Sequence, residues 1–259
     1  MNPTIELLNR RRSLRAYSDQ PITAEEKEAI LQGAFRAPTA GAMQLYTIIE
    51  VADQALKDRL VETCDDQPFI AKAPLVLLFL ADYQRWWDVF NYSGAPERAQ
   101  ALGRPTRPLQ VGDLMLACCD ALIAAQNAVI AAESLSIGSC YIGDILENYE
   151  IHREMFDLPQ YALPIAMLCF GHPVSDRAAA NPSPRYPAEY IVHTDRYRRL
   201  QPQDLEPLQR PWLERMQACG GTFVEGADNL GQSNYLRKFT AEFSFEMSRS
   251  VAAMLKNWE

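Results

Sequence analysis

From about Gln110 to Leu135 the chain has a helical pattern and is almost uniformly apolar, with Ala117, Ala121, Ala124, Ala125, Ala128, Ala131 and Ala132 spaced along it. A helix without a polar face has to be covered all round. Its many alanines let neighbouring backbones come close. Asp120, Gln126 and Asn127 interrupt the stretch Leu114 to Ile130, which argues against a bilayer span and for a core helix. Two arrangements bury such a helix: the rest of the chain wraps it, or a second copy of the chain shares it. At 259 residues the chain allows one core with an appended arm.

Around this helix the pattern alternates. Ile5 to Asn9 predicts a short helix that ends at Arg10-Arg11-Arg12. Thr23 and Glu26 have capping-box spacing and start a second helix, with Ile30, Leu31, Ala34 and Phe35 at helical intervals and Pro38 as its stop. Tyr46 to Val51 and Leu75 to Ala81 read as strands, the second apolar throughout and so buried on both faces. Asp53 to Cys64 reads as a helix, Tyr92 to Pro108 as a mobile loop or lid, Gly138 to Ile142 and Pro164 to Phe170 as strands, with a helix around Glu150 to Phe156 between them. After Pro173, Pro182, Pro184 and Pro187 come predicted helices Leu205 to Cys219 and Asn234 to Trp258, which read as the arm.

Composition removes several functions. A net charge of -8 gives no basic stripe for a phosphate backbone. The opening Met1-Asn2-Pro3-Thr4-Ile5-Glu6 has neither the basic start nor the apolar run of a signal peptide, so the expected compartment is the cytoplasm. The six cysteines form no C-x-x-C and no paired framework, and the three histidines are dispersed, so no metal site is expected. There is no G-x-G-x-x-G after a strand, no P-loop and no G-x-S-x-G elbow, which leaves Rossmann, P-loop and serine-hydrolase chemistry without support.

Two segments carry chemistry. Arg10, Arg11, Arg12 and Arg15 crowd four cations into six positions beside Ser13. An anion relieves that repulsion, and guanidinium forks with a hydroxyl match phosphate oxygens; a solvated basic turn at a helix end has the same composition. Gly138-Ser139-Cys140-Tyr141-Ile142-Gly143 places glycines on both sides of a β-like run, which lets backbone approach a flat ligand, or simply marks the bends of a strand. Trp86, Trp87, Phe90 and Tyr92 suit either an aromatic wall for planar substrates or a core.

Taken in order, Arg11-Arg12-Ser13-Leu14-Arg15-Ala16-Tyr17, Ala37-Pro38-Thr39-Ala40-Gly41-Ala42-Met43-Gln44, Ala131-Ala132-Glu133-Ser134-Leu135 and Gly138 to Gly143 resemble the nitroreductase family over nearly the whole chain. The opening Pro3-Thr4-Ile5-Glu6-Leu7-Leu8 and the long C-terminal extension resemble its oxygen-insensitive nitroreductase and flavin reductase branch. The resemblance implies a single α+β domain over residues 1–259 with an arm from about 200. Its antiparallel-dominated sheet would lie between helices, in an intertwined homodimer with FMN at the subunit interface.

By position, Arg11, Arg12, Ser13 and Arg15 would hold the FMN phosphate and ribityl chain, and Thr39, Gln44 and Gln67 would line the cofactor. Tyr141, Ile142 and Gly143 would lie along the ring, and Arg185 would return to the phosphate. The implied reaction is ping-pong. NAD(P)H (NADPH or NADH) gives hydride to flavin N5, and nitroaromatics, quinones, flavins or related small electrophiles take the electrons. No protein side chain is needed as an obligatory acid or base, and Arg15 would stabilise the anionic reduced flavin. Three departures weaken cofactor contacts: Ala42 in place of asparagine, Asp144 in place of a second glycine, and Ser183 in place of lysine. The same fold with dehalogenation or ene-reduction, a non-catalytic flavin sensor, and an interaction protein with a basic docking patch are the competing readings.

Overall fold

The computed structural model describes residues 2–174 and 183–259, so Pro182 lies outside the described residues. Helix α1, Pro3–Arg10, starts where the Asn2 side chain accepts the Thr4 amide at 2.9 Å. Helix α2, Ala24–Phe35, begins with the expected capping box: the Thr23 amide donates to Glu26 and the Glu26 amide to Thr23. Strand β1 (Tyr46–Glu50), helix α3 (Gln54–Thr63) capped by Asp53, the single turn α4 (Phe69–Lys72) and strand β2 (Leu75–Asp82) follow.

The segment read as a loop from Tyr92 differs from expectation. Helix α5 spans Gln84–Tyr92 and α6 spans Ala95–Ala101, leaving irregular chain only from Leu102 to Gln110. Gly94, with φ 65, supplies the left-handed residue between the two helices. Polar residues and Pro96 hide the helical periodicity here, because α6 has no buried residue to produce an apolar stripe.

Helix α7, Val111–Ser134, is the long apolar helix. Strand β3 (Gly138–Ile142), helix α8 (Tyr149–Met155) and strand β4 (Ala162–Gly171) complete a four-stranded antiparallel sheet in the order β1-β2-β4-β3. All eight residues of β2 are buried, as its unbroken apolar run requires. Leu75, Leu77 and Phe79 face one core with Ile30 and Ala34 of α2 and the alanines of α7. Val76, Leu78 and Leu80 face a second core with Leu60 of α3 and Ile70 of α4. Pro164, the third residue of β4, has no amide to give, and the pairing skips the next residue, Ile165, between the pairs Leu80–Pro164 and Phe79–Ala166.

Gly33 is where α2 crosses α7: a Cβ there would sit 2.6 Å from Ala131 Cβ. The Asn127 amide also donates to the Gly33 carbonyl at 3.2 Å. By length and composition alone α7 could cross a membrane, yet its inner face, with Ala117, Ala121, Ala124 and Ala128, packs on the sheet and α2. The outer face remains exposed and apolar along one stripe, Val111, Met115, Leu116, Leu122 and Ile123.

Packing divides the chain into two compact units. The first comprises residues 1–180 and 246–259, the second residues 181–245. The second unit contains helices α9 (Pro202–Ala218) and α10 (Leu230–Asn234) and a π-helical turn over Tyr235–Phe239. The last helix, α11, spans Glu242–Trp258. The expected continuous helix from Asn234 to Trp258 is therefore broken near Thr240. In the first unit the end of α11 closes a third core. Trp258 is fully buried, its indole N–H donates to the Gln110 carbonyl at 3.1 Å, and its ring meets Tyr161 edge-on.

Candidate functional site

After α1 the chain turns extended at Arg11 and runs beside β3. Ser13 bridges Ser139 in parallel, and the Leu14 amide donates to the Ser139 carbonyl at 2.9 Å. Further on, the Ser18 amide donates to the His172 carbonyl and Tyr17 bridges Pro173. Tyr17 lies so closely over Gly171 that a Cβ there would be 2.4 Å from the ring. Two motifs separated by more than a hundred residues are thus stitched into one edge. The cations act on the strand: Arg15 and Arg11 draw the Cys140 thiol down, although burial keeps it above the ordinary thiol value. Burial pushes the Tyr141 phenol up to about 12 against the pull of Arg11.

Arg15 also stands 5.8 Å from the centre of the Phe69 ring, which ties this edge to the turn carrying Gln67. The Gln67 amide nitrogen donates to the Cys64 carbonyl at 2.9 Å and to the Asp144 carboxylate at 2.7 Å. Asp144 follows Gly143, and a Cβ built on Gly143 meets no atom within 4 Å. Gly143 has ordinary negative φ, so its contribution is open space above the backbone. Arg11, Arg12, Ser13, Arg15, Gln67, Tyr141, Ile142 and Gly143 accordingly form one neighbourhood on the β3 side of the sheet. Guanidinium and hydroxyl donors lie beside a bare stretch of backbone, and that donor set suits a phosphate-bearing planar cofactor such as FMN.

Thr39 and Gln44 sit elsewhere, on the loop that enters β1 at the opposite edge of the sheet. That loop is bent by Gly41, Ala42 and Gln44, with φ of 57, 56 and 52. Non-glycine residues tolerate such φ only where neighbours hold them. The holder is Asp120, buried on α7, whose two carboxylate oxygens accept the Ala40 and Leu45 amides at 3.0 Å each. Thr39 Oγ1 adds a bond from the Gln44 amide. Gln44 opens on a cavity of about 350 Å³ with Leu31, Phe35, Tyr46, Thr47 and Arg85. Arg85 is anchored there on the Tyr46 carbonyl at 2.7 Å and on Thr47 Oγ1 at 2.9 Å.

Arg185 belongs to the second unit, where its guanidinium donates to the Ser183 and Pro184 carbonyls. Of the aromatic residues considered for a substrate wall, Trp86 and Trp87 pack in the third core and Trp86 donates to the Met43 carbonyl, whereas Tyr92 is exposed. Among the described residues no group of histidine, cysteine or carboxylate side chains has the arrangement of a metal site.

Three residues of consequence escaped the sequence reading. Asp120 stood out only as a polar break in an apolar run, and Arg85 carried no motif. The third, Glu147, is 5% exposed on the turn after Asp144. Burial, then the charges of Asp144 and Asp65, raise its carboxyl to about 7. Beside it His152 is fully buried, with Nδ1 donating to the Ile145 carbonyl and Nε2 bonded to Thr63 Oγ1, and burial lowers its pKa to about 4.

Comparison with known proteins gives consistent relatives. Residues 8–172 match the model of the nitroreductase family. An oxygen-insensitive NADPH nitroreductase from Salmonella typhimurium is 36% identical over 212 residues, 81% of this chain and 80% of that one. An FMN reductase (NADPH) from Bacillus subtilis is 33% identical over 197 residues, 76% and 75% of the two chains. The solved structure of NfrA2 from Bacillus megaterium has a TM-score of 0.78 at 30% identity, covering 100% of this chain and 98% of that one.

Proposed function

The chain belongs to the nitroreductase family, and from that premise we propose that it is an FMN-dependent oxidoreductase driven by NAD(P)H. Nitroaromatics, quinones, flavins and related electrophiles are its acceptors, reduced in a ping-pong cycle. The observation that carries this reading is the pairing of Ser13 and Leu14 with Ser139, which sets the arginine cluster against the Tyr141-Ile142-Gly143 backbone.

Bound FMN would supply hydride and electron transfer at its ring. The residues present have the remaining tasks. Arg11, Arg12, Ser13 and Arg15 bind the phosphate end, and Gly143 leaves room for a ring face. Arg15 offsets negative charge gained on reduction. No side chain in this neighbourhood is required to move a proton.

The working form in this reading is a homodimer. Thr39 and Gln44 lie at the β1 edge, whereas the arginine cluster lies outside β3. Three strand spacings, about 14 Å, separate the two edges, and a second copy that supplies one of the two sets brings both to one cofactor in this reading. The exposed apolar stripe of α7, Val111 to Ile123, is the surface suited to that partner. The whole chain, 1–259, is read as a single FMN-binding domain with a C-terminal arm from about 200, and the cytoplasm as its compartment.

Anaerobic stopped-flow absorbance tests the reading. FMN-loaded protein mixed with NADPH or NADH should lose the oxidised flavin band and regain it on addition of a nitroaromatic or quinone. Failure to bind FMN, or binding without bleaching by either nucleotide, would overturn the reductase and favour a flavin-binding sensor.

A further inference from the structure

The cavity beside β1 is lined by a guanidinium with an unused edge. Arg85 spends Nη2 on the Tyr46 carbonyl at 2.7 Å, on Thr47 Oγ1 at 2.9 Å and on the Asp82 carboxylate at 3.4 Å. Nη1 makes one long bond, 3.4 Å, to the Gln44 carbonyl, and among the described residues Nε has no hydrogen-bond partner. Asp82 is engaged on the Nη2 side, where its Oδ2 also accepts the Thr47 hydroxyl and its Oδ1 the Arg85 amide at 3.3 Å. The fork of Nε and Nη1 is therefore open, and its two parallel donors match the two oxygens of a carboxylate.

The rest of the wall suits a ring. Leu31 and Phe35 of α2 face the cavity with Ile48 and Leu77, and Glu50, the carboxylate that also lines it, is paired with Lys27 at 2.9 Å. A volume of about 350 Å³ is that of a small-molecule site. Building on the FMN reading above, in which Gln44 lines the cofactor, we propose that this cavity is the acceptor subsite and that Arg85 selects acceptors bearing an anionic substituent, such as nitroaromatic or quinone carboxylates. On such a nitroaromatic each turnover takes a hydride from NAD(P)H and a proton from solvent and releases water as nitro becomes nitroso. The carboxylate is unchanged and serves as the handle that Arg85 holds.

The test measures binding and turnover on the FMN-loaded full chain, with 4-nitrobenzoate and its neutral counterpart 4-nitrobenzamide. In equilibrium dialysis the wild type should hold the anion more tightly than the amide by about fivefold to tenfold, the size of a charge-assisted contact to a half-exposed guanidinium. Arg85→Gln should erase that preference. In steady-state kinetics with NADPH or NADH, the ratio of kcat/KM for the anion to that for the amide should fall by the same factor in Arg85→Gln, through KM. Leu31→Trp, which narrows the cavity from α2, should raise KM for both acceptors.

Equal binding of anion and amide by the wild type, or a ratio that Arg85→Gln leaves unchanged, would overturn the assignment alone, since reduction of the amide keeps the reductase intact. A fall in kcat/KM for the nucleotide in Arg85→Gln, with the acceptor ratio unmoved, would place the guanidinium on the donor and equally overturn it. Arg85 also holds Tyr46 and Thr47, so if Arg85→Gln fails to fold, the wild-type dialysis and Leu31→Trp decide: unchanged KM values for both acceptors in Leu31→Trp would show that they bind elsewhere. Failure of the wild type to bind FMN, or to reduce either acceptor, would instead sink the cofactor reading, and this proposal with it.

Discussion

Glu147→Gln should change how stability depends on pH even with no cofactor present. In the folded chain Glu147 keeps its proton up to about 7 rather than its ordinary 4.5. The folded state binds that proton more tightly than the unfolded chain, so the stabilisation is complete below pH 4.5 and disappears as pH rises through 7. At about 1.4 kcal/mol per pKa unit this gap amounts to about 3 kcal/mol. His152 works in the opposite direction. Its pKa falls from 6.5 to about 4, so the folded state resists protonation, and its contribution grows as pH rises from 4 to 6.5, by a similar amount, about 3 kcal/mol.

In the wild type the two slopes offset each other between pH 4.5 and 6.5, whereas Glu147→Gln exposes the histidine slope. Urea unfolding of the apoprotein by circular dichroism, at constant ionic strength from pH 4.5 to 8, measures the difference. The variant should gain about 3 kcal/mol on the wild type across that range. Carboxylates held low by partners, such as Asp113 and Glu150, titrate identically in both proteins and drop out. Parallel stability curves would refute the reasoning, for they would mean that Glu147 ionises at its ordinary value despite its burial.

Two further substitutions test the scaffold. Asp120→Ala strips the Ala40 and Leu45 amides of their acceptor and should cost about 3 kcal/mol, lowering Tm by roughly 6 to 12 °C and loosening FMN binding; a melting point within 2 °C of the wild type would show that the loop holds itself. Gly33→Ala forces α2 away from Ala131 at a cost of roughly 1–3 kcal/mol, and adding Ala131→Gly should recover most of it in a double-mutant cycle, whereas simple additivity of the two losses would count against a direct clash.

How far the sequence reveals this molecule depends on where the deciding contacts lie. The capping box of α2 and the run of β2 are local or periodic signals, and both elements appear where expected. The arginine motif and the Gly138 to Gly143 strand were each ambiguous alone, because what joins them is a bridge between Ser13 and Ser139. Helix α6 was missed since Gly94 and Pro96 look like loop chemistry although they start that helix. Asp120 and Glu147 could not be recognised for a related reason. A carboxylate that accepts amides from a loop eighty residues away, or is buried at the end of a turn, leaves no periodic trace.

Helix α7 joins two tasks along one rod. Its inner side presents Asp120, which holds the loop of Thr39 and Gln44, and its outer side presents Met115, Leu116, Leu122 and Ile123. A tilt or rotation of this helix on subunit association would therefore be transmitted to the loop without any intermediary. In the proposed homodimer, dilution that separates the two copies would then release FMN in the same transition, so cofactor occupancy would report directly on that proposed equilibrium.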